Sequence, residues 1–188
     1  MAKQLSEMSL QELWHLFPIF LTQHNDEWDT WYEDEAALLS SVLPLIEVVR
    51  ISHIGSTAIK SIMAKPIVDI LVEVCCECDM HEIGTLLCSS GYRCMCEEEN
   101  RISFNKGYTE NGFSQKVFHI HLRFAGDNDE LYFRDYMNES QLPAKQYETL
   151  KLSLAKKFKH NRDAYTLGKT DFIREQTEKA KIKYGRRY

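Results

Sequence analysis

Apolar residues change their spacing several times along the chain, and each change marks a structural element. Leu10, Leu13, Trp14, Leu16 and Phe17 recur every three to four residues behind Ser9, which predicts a capped helix interrupted by Pro18. Asn25 or Asp26 starts a second helix through Trp28, Trp31, Tyr32, Ala36, Leu38 and Leu39, ending near Pro44. Residues 46–54 are rich in β-branched side chains and predict a strand that Gly55-Ser56-Thr57 breaks. A short helix or turn then runs to Ala64. Pro66 cannot donate to a ladder, so the next strand covers 67–74, and its near-continuous apolar character predicts burial on both faces.

Asp79 caps a further helix through Ile83, Leu86 and Leu87, which Gly91 stops. Residues 92–97, 101–108 and 116–124 read as successive strands, with turns at 98–100 and Asn111-Gly112. The last third is helical: 128–138, 143–158 with Pro143 in its first turn, and 166 to about 184. Strands in the middle with helices at both ends predict an α+β fold. Residues 1–24 form an N-terminal helical extension and 25–188 the main domain. A chain of 188 residues buries a core of this kind without disulfides or metal staples.

Charge and cysteine content narrow the classes. Lys+Arg number 23 against 28 Asp+Glu, a net charge of −5, so bulk electrostatics draw no nucleic acid to this chain. No apolar run reaches the roughly 20 residues of a membrane span. The start, Met1-Ala-Lys-Gln-Leu-Ser, lacks the basic-then-apolar order of a secretory signal, and a cytoplasmic location is expected. Cys75, Cys76, Cys78, Cys88, Cys94 and Cys96 do not build a paired C-x2-C zinc frame. Cys76/Cys78 and Cys94/Cys96 have strand spacing, and all six read as reduced, half-buried thiols.

Three places carry chemistry. At Gly55-Ser56-Thr57 a strand feeds a turn whose N–H groups and hydroxyls suit a phosphate, or simply cap a short helix. Asp69 lies inside an apolar strand, where a carboxylate is costly unless paired, hydrogen-bonded or bound to metal. Lys65 is one partner for it, and a structural ion pair competes evenly with a catalytic carboxylate. His119 and His121 alternate along a strand, so both imidazoles leave the same face, suited to metal, phosphate or proton transfer. Arg101 and Lys106 on the preceding strand would add a cationic wall beside Asp69. Trp28, Trp31 and Tyr32 have helical spacing and read as core ahead of interaction anchors.

Several separated motifs resemble the GrpB family: His53-Ile-Gly-Ser-Thr-Ala58, Ala64-Lys-Pro-Ile-Val-Asp-Ile70, Arg101-Ile-Ser-Phe-Asn-Lys106 and Phe118-His-Ile-His-Leu122. Phe133-Arg-Asp-Tyr136, Tyr147-Glu-Thr-Leu-Lys151 and Ala164-Tyr-Thr-Leu-Gly-Lys169 extend the resemblance in order to about residue 180. It implies a nucleotidyltransferase-like fold: a small mixed β-sheet with packed helices and a helical C-terminal third. It also implies that Gly55 and Ser56, with His53 and Thr57, hold phosphate, and that Asp69 is a metal carboxylate. Lys65, Arg101, Lys106, Arg134, Lys151 and Lys169 then supply charge to a substrate, with Asp69, His119 and His121 as catalytic and metal-binding residues.

Two departures from the family pattern stand out. Leu71 occupies the place of a second carboxylate, about 6.6 Å along the strand, and Glu73 is about 13 Å from Asp69. Lys60-Ser61 replaces the usual Pro-Gly. The implied activity is metal-assisted nucleotidyl or phosphoryl transfer with Mg or Mn and a nucleoside triphosphate. The alternative is a non-catalytic module for a nucleotide or other small anionic, phosphorylated ligand.

Overall fold

The computed structural model describes residues 3–188, so Met1 and Ala2 of the expected extension lie outside the described residues. Five strands form one mixed sheet: β1 (Val48–Ile54), β2 (Val68–Val74), β3 (Arg93–Glu98), β4 (Arg101–Thr109) and β5 (Gly112–Phe124). Their order is β1-β2-β5-β4-β3, with β2 and β5 parallel at the centre and every other pair antiparallel. Seven helices surround it: α1 (Leu10–Leu16), α2 (Glu27–Val42), α3 (Met80–Ser89), α4 (Asp129–Glu139), α5 (Gln141–Lys157), α6 (Arg162–Leu167) and α7 (Thr170–Tyr184). The α+β reading and the helical C-terminal third are therefore borne out.

Register explains how one sheet carries both core and site. Val68, Ile70, Val72, Phe118, Ile120, Leu122, Ile102 and Phe104 point to one side and join Trp28, Leu39 and Ile83 from α2 and α3 in the main core. Period-two alternation then sends Asp69, Leu71 and Glu73 to the opposite face, beside His119, His121 and Arg123 of β5. That face is covered by α4, on which α7 packs in turn, so β2 is buried on both sides, as its apolar run implies.

Some boundaries shift for local reasons. The first strand starts at Val48, because Glu47 and Val48 N–H groups donate back to Pro44 in a turn; Ile46 is left exposed. The C-terminal helix predicted from 166 is two helices. Asn161 Oδ1 accepts from Ala164 N at 3.0 Å and starts α6 earlier, a cap the apolar spacing does not reveal. Cys76 and Cys78 sit in the turn after β2, and a register irregularity separates Cys94 from Cys96, so neither pair forms a regular strand face. All six cysteines are free, and Cys76, Cys88, Cys94 and Cys96 are exposed, less covered than expected. Cys75 and Cys78 do stand at C-x2-C spacing, and burial pushes the Cys78 thiol up to about 11. Trp28 is fully buried, the core role expected of it. Among the described residues no helix is long and apolar enough to cross a membrane.

The N-terminal segment packs on the domain. Phe17 meets Tyr108 and Phe113, and Thr22 bridges Ala64 in a two-residue antiparallel contact.

Candidate functional site

The site is built where β1 ends and the antiparallel β2 begins. Ile54 pairs with Asp69, and the chain leaves β1 through Gly55 at φ 70°, ψ −167°, a conformation essentially reserved for glycine. A Cβ on Gly55 would stand 2.3 Å from Asp69 Oδ2, so the turn lies directly against the carboxylate. Across the parallel ladder Asp69 is level with His119. His119 Nδ1 and His121 Nε2 lie 3.1 and 3.2 Å from the same oxygen, Asp69 Oδ1. Burial opposes the Asp69 charge, but these imidazole hydrogen bonds hold its pKa well below the usual carboxylate value. Burial pushes His119 downward, keeping it neutral near pH 7.

These three side chains form the floor of a cavity of about 730 Å³. Its walls include Gly55, Ser56, Lys65, Arg101, Arg162, Lys169 and Arg174, and Asp129, Glu130 and Glu178 line it too. Lys65 and Lys169 both lie over the Tyr165 ring, at 5.3 and 4.6 Å from its centroid. Burial lowers Lys65 to about 7, aided by the nearby charges of Arg162 and Lys169; Lys169 is lowered too, chiefly by burial. Poorly solvated cations converging on one cavity favour an anion there.

The structure therefore brings together Gly55, Ser56, Lys65, Asp69, Arg101, His119, His121 and Lys169 from the expected set. Lys65 makes no ion pair with Asp69; the two histidines take that place.

Other expected site residues are elsewhere. His53, one residue before Ile54, points to the opposite face, stacks on Tyr32 at 4.9 Å and meets Thr57 Oγ1 at 3.0 Å. Thr57 is buried and donates to Ile67 O at 3.3 Å, so the pair braces the turn from behind and does not line this cavity. Burial lowers His53 to about 4.

Lys106 alternates away from the histidines and binds Glu35 at 2.7 Å on the core side. Arg101 lines the cavity from β4, opposite Arg123, and forms a two-pronged pair with Asp127 at 2.7 Å. Arg134 donates to His53 O and Tyr188 Oη, holding β1 and the C-terminal residues. Lys151 is buried, is not among the residues lining the cavity, and donates to Met63 O. Lys60 turns to Asp29 at 3.3 Å, so its charge does not join the cavity.

The two positions in question, Leu71 and Glu73, have clear fates. Leu71 is fully buried with Ile54 and Leu131, an apolar patch beside the floor. Glu73 accepts from Gly126 N at 3.1 Å and Asn128 Nδ2 at 2.8 Å and lies 3.1 Å from Arg50 Nε, a structural role.

Arg162, Arg174, Tyr108 and Tyr165 were not singled out by the sequence. Tyr165 lies inside a quoted family motif, so that signal was present. Arg162 follows the Asn161 cap, and starting the helix at 166 hid it.

Fold and floor together define an α+β protein with a carboxylate–imidazole cluster under a cationic cavity. The GrpB protein family matches residues 18–179, and the chain belongs to that family. It is 34% identical over 164 residues to the glutamate-rich protein GrpB of Alkalihalophilus pseudofirmus, covering 84% of this chain and 92% of that one. It is 30% identical over 178 residues to the UPF0157 protein YqkA of Bacillus subtilis, covering 92% of this chain but only 51% of that relative. The crystal structure of the conserved protein GrpB from Enterococcus faecalis superposes with a TM-score of 0.74 at 29% identity. That match covers 88% of this chain and 99% of the other.

Proposed function

We propose that the cavity binds a phosphorylated small molecule, a nucleotide being the expected class, beside one divalent cation, and that it carries out metal-assisted nucleotidyl or phosphoryl transfer. The observation that carries this reading is the donor set. One atom each from Asp69, His119 and His121 lie within 4.8 Å of one another, directly under Gly55-Ser56 and facing Lys65, Arg162 and Lys169.

Two imidazoles and one carboxylate fit a borderline transition metal such as Mn2+, Zn2+ or Fe2+ better than Mg2+, which favours all-oxygen surroundings. Of the two metals expected from the resemblance, Mn fits better. When bound, the cation would supply positive charge to a phosphoryl oxygen. The chain's own side chains do the rest. Lys65, Lys169 and Arg162 neutralise the remaining phosphate charge, and Ser56 offers its hydroxyl and backbone N–H. Leu71 leaves a second cation without a carboxylate, so this is a one-cation site.

Leu71 also supports a second reading, in which the same pocket binds its ligand without turnover. A thermal-shift panel of nucleotides with and without Mg2+, Mn2+ and Zn2+ separates the two, since a ligand at 100 times its Kd adds about 2.7 kcal/mol. Labelled nucleoside triphosphates with candidate acceptors are expected to turn over in wild type and at least 100-fold more slowly in Asp69→Asn. Equal rates would remove the transfer reading; saturable, cation-independent binding without turnover would establish the second.

A further inference from the structure

The two histidines are equivalent in sequence spacing and unequal in structure. His121 uses Nε2 toward Asp69. His119 has both ring nitrogens engaged: Nδ1 faces Asp69, and Nε2 lies 2.8 Å from the Tyr108 hydroxyl. Tyr108 in turn accepts from Arg162 Nη1 at 2.8 Å, with the guanidinium 5.4 Å from its ring centroid. Arg162 lines the anion-facing wall. One chain of hydrogen bonds therefore runs from the wall of the cavity to its floor.

Its geometry is a product of backbone irregularity. Strand alternation would point Tyr108 the same way as Lys106, toward the core side. The β4–β5 ladder shifts register between Lys106 and Tyr108, at Gly107 with φ 93°. A Cβ there would meet Lys116 O at 2.4 Å, so only glycine fits the shift. Irregularities of this kind re-aim side chains next to functional sites. Here the shift carries the Tyr108 ring to within 5.8 Å of the His119 ring, nearly parallel at 18°.

Donor chemistry then orders the protons. Arginine can only donate, so the Tyr108 oxygen is an acceptor, and its own hydrogen is free to go to His119 Nε2. His119 is left as the Nδ1–H tautomer, donating to a carboxylate that can only accept. A cation ligated through Nδ1 requires the ring proton on Nε2, and the Tyr108 oxygen, with two lone pairs, can accept that bond as well. Tyrosine serves both arrangements; phenylalanine serves neither.

We propose that Tyr108, held by Arg162, is the positioning residue of His119: it sets the ring and its tautomer, and it links anion binding at Arg162 to cation binding at the floor. The inference rests on the one-cation reading above. Partners of this type on a ligating histidine are worth 10–100-fold in metal affinity.

The test uses the full chain, Mn2+ or Co2+ as the cation, and sulfate as the anion. In wild type, 15N spectra of the imidazoles should show His119 as one tautomer, protonated at Nδ1. Tyr108→Phe should give a tautomer mixture, a 10–100-fold weaker Co2+ affinity with an altered visible spectrum, and loss of any gain in cation affinity on adding sulfate. Arg162→Gln, which leaves the tyrosine in place, should lose the sulfate effect and part of the tautomer preference; it serves if Tyr108→Phe does not fold. Unchanged tautomer and unchanged Co2+ affinity in both variants would overturn the positioning role while leaving the one-cation reading intact. Wild type that binds neither Mn2+ nor Co2+ would overturn both.

Discussion

Gly55→Ala is expected to destabilise the protein by about 2–6 kcal/mol, the sum of backbone strain and overpacking of about 1–3 kcal/mol each. Strain arises because φ 70° with ψ −167° is a region that side chains with a Cβ avoid. Overpacking arises because the added methyl would stand 2.3 Å from Asp69 Oδ2 and 2.9 Å from Asp69 Cβ, neither at the end of a long flexible chain. Relief requires Asp69 to leave its two histidines, so binding should fall along with stability. Gly91→Ala is the control: φ is 90°, yet nothing lies within 4 Å of the new Cβ, so strain acts alone. Urea unfolding of both variants measures the difference. Equal losses would show that close approach to Asp69 contributes nothing.

Between about pH 8 and 10 the protein should grow more stable as pH rises, in contrast to a usual surface-charged domain. Burial, with the charge of Lys169 adding to it, lowers Lys151 to about 7, and burial does the same to Lys65. Unfolded lysines keep their protons until about 10.4. In this window the unfolded chain binds more protons, so stability increases with pH, by about 1.4 kcal/mol per pH unit for each such lysine at most. Below about 7 both states are protonated and the full burial cost remains. Above about 10 the trend reverses, because tyrosines ionise in the unfolded chain while burial holds Tyr147 up to about 12. Lys151→Met should flatten the slope of unfolding free energy against pH by about 1.4 kcal/mol per unit. Sulfate, whose charge does not change in this range, should bind more weakly above pH 7 as Lys65 loses its proton. A slope identical in wild type and Lys151→Met would refute the assignment.

Legibility in the sequence followed periodicity. The strand pattern placed Asp69, His119 and His121 on faces, and the ladder then set Asp69 level with His119, because parallel pairing of two strongly patterned strands leaves little freedom of register. The same alternation moves Lys106 away from the histidines, since it differs in parity from Asn105, the partner of His119, so it cannot share a wall with Arg101. His53 was misplaced for a similar reason: it adjoins the glycine turn in sequence but faces the other way. Arg162 and Tyr108 were invisible for different causes. One depends on a cap that lengthens a helix backwards, the other on a register shift that reverses alternation, and neither leaves a periodic trace. Lys151 shows the limit of the family motif, which marks a residue that matters without telling cavity from support.

Leu71 bears on how this protein can change by single substitutions. Ile54 and Leu131 close over it from β1 and α4, and Tyr188 packs against that cluster from the C-terminal end. An aspartate at position 71 would enter an apolar enclosure, where its neutral form is favoured. A one-residue change therefore does not create a pair of ionised carboxylates. Three elements would have to open together, so a second ionised carboxylate is barred by the neighbours rather than by position 71 itself.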